Sequence, residues 1–351
     1  MRKESFLERI GLKTVKELIG FDIGTSSVKV CVLERKRKGF GLKRISKKDY
    51  DRDLLSDGVI IDEFFLAEEI KRILKLEDIR STDAASAVSS YATMMKKVSI
   101  PYVDEEALQG VIGAEVETQI PLPSKDIFYS YHVIGPDPEK EGFMQVMIVA
   151  AKKEIVEGYM NTFDRAGLKL RILDVDIVNV ANIVAEVYRP KNNVLVADIG
   201  SSFTNIAIVK GSDLEFTREI AVGGKYLTSQ IEKTLKIPYS EAEKKKISGD
   251  SELAYLFEDF IFNITSEINK TINFFRSIKT SETVEKVYVT GGSSLLVGLK
   301  EKIKEETGLE VETVNPFLLL GQNYKADKTI EEYMVFMPVA LQLSARIKEL
   351  Q

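Results

Sequence analysis

Residues 21–30 read FDIGTSSVKV, and residues 197–209 read ADIGSSFTNIAIV. Each copy has Asp-Ile-Gly, then small hydroxyl-bearing residues, then alternating apolar positions. That is the pattern of a strand, a tight turn and a returning strand. In the first copy Val28, Val30 and Val32 alternate with Lys29 and Cys31, which predicts a half-buried strand. A local device repeated this far apart constrains the chain to two related halves. Strands and helices alternate through both, so the expected fold class is α/β, with the two halves facing a cleft.

The chemistry of the repeat is anion binding. Asp22 and Asp198 end their strands and project carboxylates beyond the sheet. Gly24 and Gly200 let the chain turn sharply and let backbone N–H groups approach a ligand. Thr25, Ser26 and Ser27 in one copy, and Ser201, Ser202 and Thr204 in the other, add hydroxyl donors. Consecutive N–H groups with hydroxyls make a nest suited to phosphate, and two nests would grip a polyphosphate from both sides. Asp22 and Asp198 would then hold Mg²⁺ through water, since Mg²⁺ dehydrates reluctantly. Lys29 adds a point charge. One such turn alone would be an ordinary β-turn. The weight comes from two copies followed by VTGGSSLL, where Gly291, Gly292 and Ser293 lie at a strand-to-helix turn on which a flat ring or phosphate can rest.

Other segments read more simply. Residues 62–75 are a helix with Asp62 as N-cap and Leu66, Ile70, Ile73 and Leu74 on one face. A helix over 104–119 begins at Asp104 and is stopped by QIPLP. Two strands, a polar turn and a helix over 153–166 follow, making 98–168 a compact insertion. Ile261, Ile264, Ile268, Ile272 and Phe275 form a long apolar stripe, and Pro338 opens a last helix. The basic run RKRKGFGLKRISKK (35–48) reads as a solvated hairpin tip or as a patch for anionic lipid.

Composition removes several functions. A net charge of −5 argues against nucleic acid as a partner. One Cys and one His (Cys31, His132) exclude a disulfide framework and a Cys/His metal cluster. No nucleophile elbow accompanies His132. The N-terminal stretch has no apolar h-region, and FMQVMIVAA and MVFMPVALQLSA are too short to span a bilayer. The expectation is a soluble, cytoplasmic protein that reaches a membrane only through a surface patch or a partner.

The order FDIGTSSVKV, LDVDIVNVANIV, ADIGSSFTNIAIV, VYVTGGSSLL resembles the actin-like ATPase superfamily: phosphate loop 1, connecting segment, phosphate loop 2, adenosine loop. The resemblance implies ATP and Mg²⁺ as ligands. It places Lys29 at a phosphate-contacting lysine. It places Asp176 where the superfamily has an acid or amide that orders the metal shell or the attacking water, although the residues alone also allow a polar helix cap. SEAEKKKI resembles the helix that touches the adenosine, implying Glu243 and Lys246, with an ordinary exposed helix as the alternative. Gly223 and Gly224 match a glycine pair at the start of a nearby helix.

Within the superfamily the sequence resembles the type IV pilus assembly PilM family, of the FtsA-like branch, over nearly the whole chain. The stretches that carry this are VIGAEVETQIPLPSKDIFYSYHVIG, VMIVAAKKEIVEGYMNTFDRAGLKLRILDVD, TREIAVGGKYLTSQI and NPF at 315–317. The resemblance implies four subdomains. A first actin-like subdomain would comprise 1–97 plus 169–193, with 338–351 packing back at the junction. An inserted subdomain would cover 98–168, a second actin-like subdomain 194–224 plus 284–337, and a helical subdomain 225–283. It also implies an ATP-binding scaffold peripheral to the inner membrane, with slow or no turnover. Such a scaffold would bind the N-terminal cytoplasmic tail of PilN and other pilus platform proteins, with self-association left open. One alternative is an FtsA-like filament at the membrane. Against it, the chain ends at ARIKELQ without that family's linker and basic amphipathic helix, and SFLERIG is at most a short substitute. The other is a small-molecule kinase, for which no dedicated substrate cluster is visible.

Overall fold

The computed structural model describes residues 15, 17–37, 39–280 and 282–350, so SFLERIG and Lys38 of the basic run lie outside the described residues. In chain order the first half is β1 (Leu18–Ile23), β2 (Ser27–Arg35), β3 (Phe40–Asp49), the short strands β4 (Leu55–Ser56) and β5 (Val59–Ile60), α1 (Glu63–Leu76) and β6 (Asp83–Val88). Next come β7 (Thr93–Pro101), α2 (Glu105–Gln119), β8 (Ile127–Pro136) and β9 (Phe143–Lys152). The chain returns through α3 (Lys153–Arg165), β10 (Lys169–Val175) and α4 (Asp176–Tyr188). The second half is β11 (Asn193–Ile199), β12 (Thr204–Lys210), β13 (Asp213–Ile220), α5 (Gly224–Leu235), α6 (Tyr239–Ser248), α7 (Ala254–Ile278), β14 (Val284–Thr290), α8 (Leu299–Thr307) and β15 (Glu310–Thr313). It closes with α9 (Lys328–Tyr333) and α10 (Pro338–Ala345).

The two halves repeat one sheet. The first is ordered β10-β6-β1-β2-β3 and the second β15-β14-β11-β12-β13. In each, the central strand pairs antiparallel with its hairpin partner and parallel with the next strand. The same register holds in both copies: Asp22 faces Lys29, and Asp198 faces Asn205. Lys29 and Asn205 are therefore equivalent positions.

Helix starts follow their caps. The Asp62 carboxylate accepts the Phe65 N–H at 2.9 Å, and α1 buries Leu66, Ala67, Ile70 and Ile73. The Asp104 carboxylate accepts the Ala107 N–H at 2.9 Å and starts α2. The stripe on α7 is buried in the second half's core with Leu227, Ile231, Val287 and Val289.

β2 differs from the half-buried expectation. Cys31 is fully buried, as are Val28 and Val30. The reason is α10, whose eight residues are all buried. The Ser344 hydroxyl donates to Leu18 O at 2.7 Å and accepts the Leu33 N–H at 2.8 Å, holding α10 on β1 and β2. A Cβ at Gly20, the cross-strand neighbour of Cys31, would lie 1.9 Å from Ala340 O. Only glycine lets the helix approach this closely.

The insertion is a three-stranded sheet ordered β7-β9-β8 with α2 packed on it around Ile100, Ile112, Val116, Val146 and Ile148. Its packing departs from the 98–168 bounds at both ends. β7 joins the small sheet from Thr93, whereas α3 buries Ile155, Tyr159 and Phe163 in the first half's core. The Phe163 ring meets Phe21 edge-on at 5.2 Å. α3 is amphipathic, and that pattern does not reveal which core receives its apolar face. The basic run forms the β2–β3 hairpin; Lys36 pairs with Glu34, Lys43 with Glu17 and Lys47 with Asp49. No described helix is long and apolar enough to cross a membrane.

Candidate functional site

A cleft of about 1640 Å³ opens between the halves. This exceeds the roughly 300–1,000 Å³ of a small-ligand pocket, so it can hold a ligand and leave a path for its entry. Asp22, Gly24, Thr25, Ser26, Ser27, Lys29, Asp176, Asp198, Gly200, Ser201, Ser202, Glu243, Lys246, Gly291, Gly292 and Ser293 all line it.

The two turns are built alike. The Gly24 N–H donates to Ser27 O at 2.9 Å, and the Gly200 N–H to Phe203 O at 2.9 Å. The Thr25 and Ser26 carbonyls accept from the Leu54 and Tyr50 N–H groups at 2.7 and 2.9 Å. The Gly200 and Ser201 carbonyls accept from the Gly224 and Lys225 N–H groups at 3.0 and 2.8 Å. A trans peptide points its C=O and the following N–H in opposite directions. Engaging these carbonyls therefore turns the N–H groups of Ser26 and Ser27, and of Ser201 and Ser202, the other way, which is the geometry of an anion nest.

Three sequence candidates fall outside the cleft. Thr204 is equivalent to Val28, and strand alternation turns it inward: it is fully buried and its hydroxyl donates to Val222 O at 2.7 Å. It is therefore a structural residue, not a cleft donor. Gly223 and Gly224 are buried behind the second turn. A Cβ at Gly223 would lie 2.4 Å from Ser201 O, and one at Gly224 2.3 Å from the Ser293 hydroxyl. They let the start of α5 press onto the turn from behind.

Three carboxylates meet at the cleft floor. Lys29 Nζ lies 3.0 Å from Asp22 Oδ2. Burial alone would lower the Lys29 pKa, but Asp22, with Asp198 and Asp49 beyond it, raises it above its ordinary value. Burial and the Asp22 charge push Asp198 up to about 6, with Lys29 opposing them. Burial and the Asp198 charge push Asp176 up to about 7. Asp176 is the first residue of α4 and links the halves. Its Oδ1 accepts the Ser90 N–H at 2.9 Å and the Ile177 N–H at 2.6 Å, and its Oδ2 accepts the Asn205 amide at 3.1 Å.

This set fits a hydrated cation. Asp176 and Asp198, raised toward neutrality by burial and a neighbouring carboxylate, leave room for positive charge beyond that of Lys29. Asn205 Oδ1 is buried with no hydrogen-bond partner among the described residues. No group of three His, Cys, Asp or Glu among the described residues could hold a metal directly. Mg²⁺ held through water suits all three observations.

On the other wall, Lys246 Nζ lies 2.8 Å from Glu243 and donates to the Thr228 hydroxyl at 2.9 Å. The Ser293 hydroxyl donates to Gly200 O at 3.0 Å, stitching the third glycine turn to the second Asp-Ile-Gly turn. Gly291 has φ +83°, and a Cβ there would lie 2.4 Å from Asp198 Oδ1, so two constraints demand glycine.

Several residues in and beside the cleft were not legible in sequence. Asn205 lies within the second Asp-Ile-Gly copy, but nothing in its residue type marked it, and only its equivalence to Lys29 could have singled it out. Tyr91, just before β7, stacks on Phe203 of the second turn. Phe336 packs under Gly292, and Lys47 lies 4.7 Å from its ring centroid. These contacts join segments far apart in the chain.

Comparisons with known proteins agree with this fold. A family model described as type IV pilus assembly protein PilM matches residues 20–345. The chain is similar to a solved PilM-PilN type IV pilus biogenesis complex, with TM-score 0.85 and 24% identity over 95% of this chain and 99% of that one. It is similar to MreB 5 of Spiroplasma citri bound to AMPPNP, with TM-score 0.51 and 14% identity over 96% of this chain and 97% of that one. The cell division protein FtsA of Streptococcus pneumoniae is 22% identical over 346 residues, 85% of this chain and 75% of that one. The fold is that of the actin-like ATPases.

Proposed function

The chain belongs to the type IV pilus assembly protein PilM family, and from that membership we propose that it is a cytoplasmic ATP-binding scaffold of the pilus assembly platform. In this reading it binds the N-terminal cytoplasmic tail of PilN and is thereby peripheral to the inner membrane. The observation that carries the nucleotide part is the pair of equivalent turns. Both engage their carbonyls behind the loop, and both follow a strand whose second-last residue is an Asp at the cleft floor. The nucleotide bound by MreB 5 and the partner in the PilM-PilN complex support the reading as properties of those relatives.

The two nests would hold the phosphates, and Lys29 would add its charge from the first half. Glu243 and Lys246 would flank the nucleoside. Mg²⁺, held through water by Asp22, Asp198 and Asp176, would supply neutralisation of phosphate charge. Asp176, held by Ser90 and Asn205, would orient a water. In this reading turnover is slow or absent.

Calorimetric titration tests both parts. Mg-ATP should bind the full chain, and a synthetic PilN tail peptide should then bind the loaded chain at micromolar Kd or tighter. Failure to bind Mg-ATP would remove the nucleotide reading. Nucleotide binding without peptide binding would remove the scaffold reading and favour an FtsA-like filament or a small-molecule kinase.

A further inference from the structure

The Asp53 carboxylate and the Lys225 ammonium form an ion pair across the rim of the cleft. Asp53 follows β3 in the first half, and Lys225 is the second residue of α5 in the second. Each is tethered to the phosphate turn of its own half. On one side the Leu54 N–H bonds to Thr25 O and the Tyr50 N–H to Ser26 O. On the other the Lys225 N–H bonds to Ser201 O. The pair is thus a strap from turn to turn, and widening the gap between the turns must break it.

The Asp53 segment is braced by its neighbours. The Arg52 guanidinium lies 4.5 Å from the Phe65 ring centroid and 3.6 Å from Asp62, and the Tyr50 ring meets Phe65 edge-on at 5.7 Å. Lys225 occupies the first turn of α5, where a cation opposes the helix dipole and is disfavoured by local propensity. The Asp53 carboxylate offsets that charge and is itself favoured at the positive end of the helix. The two side chains are 41% and 31% exposed, so the pair can open into water without stranding a buried charge.

An ordinary surface ion pair would add little to stability and nothing to ligand kinetics. The tethering to both turns is what separates this one. We propose that Asp53 and Lys225 form an interdomain latch whose opening limits nucleotide release. This rests on the nucleotide reading of the cleft: a ligand gripped from both sides leaves only when the turns separate.

Displacement of mant-ATP by excess ATP in a stopped-flow instrument tests it on the full chain. Asp53→Asn and Lys225→Met should each raise the off-rate by about two- to fivefold, the factor expected for a half-exposed ion pair. The double variant should release no faster than either single one, and the swap Asp53→Lys with Lys225→Asp should bring the rate back toward wild type. Wild-type protein that does not bind mant-ATP overturns the nucleotide reading and the latch with it. Binding with unchanged release from both single variants overturns the latch alone. So do additive single effects, which would mean that Lys225 contacts the phosphates independently of Asp53.

Discussion

The ring of Tyr91 lies on the ring of Phe203, with centroids 4.3 Å apart and planes 24° apart. Tyr91 belongs to the short turn that leads into the inserted sheet, and Phe203 to the second Asp-Ile-Gly turn. The stack therefore links the halves beside the Asp176–Asn205 contact. An aromatic pair contributes about 1 kcal/mol beyond its buried area. A double-mutant cycle with Tyr91→Ala and Phe203→Ala, read by urea unfolding, should give a coupling of about that size. A coupling near zero would mean that the stack does not hold the halves together.

The carboxylate cluster predicts a pH dependence. Asp176 and Asp198 have folded pKa values of about 7 and about 6, above the ordinary 3.8. The folded chain holds these protons more tightly than the unfolded chain. Stability from this source is fully present below pH 3.8 and is lost as pH rises through about 6 and then about 7. The Tm of the nucleotide-free chain should fall by about 5 °C or more between pH 5 and pH 8. Asp198→Asn should flatten that slope and raise the Tm at pH 8, while weakening Mg-ATP binding in calorimetry. A variant that melts lower than wild type at pH 8 would show that the Asp198 charge is already compensated.

Lys29 is the cation that pairs with Asp22 and offsets the Asp198 charge. Replacing it by Met leaves Asp22 without its partner at 3.0 Å in a nearly buried site. Breaking such a pair costs about 3 kcal/mol. The loss should appear in urea unfolding at pH 8 and shrink at pH 5, where Asp198 takes up a proton. A loss of equal size at both pH values would mean that packing of the Lys29 stem, and not its charge, is what matters.

Gly20 tests the burial of the C-terminal helix. A methyl group there would sit 1.9 Å from a backbone oxygen of α10. Backbone cannot give way as a side chain can, so Gly20→Ala should destabilise by about 3 kcal/mol, at the upper end of overpacking costs. Gly110, on the insertion helix, serves as the control. A methyl group there would meet no heavy atom within 4 Å, so Gly110→Ala should be neutral or mildly stabilising. Equal melting temperatures for the Gly20 variant and wild type would show that α10 can move off β1.

What the sequence determined by itself is local. The two Asp-Ile-Gly turns, the caps at Asp62 and Asp104 and the α7 stripe depend on residues within a few positions of each other. Periodicity and turn chemistry act over that range. The doubling of one such device was enough to imply two facing halves. Only the tertiary structure decided the contacts between distant segments. It assigned α3 to the first half's core, buried Cys31 beneath α10, turned Thr204 away from the cleft and joined Asp176 to Asn205 and Asp53 to Lys225. An amphipathic helix records that it has an apolar face, not which core receives it. A charged side chain records its sign, not its partner. Those choices are made by packing, which no short window of sequence contains.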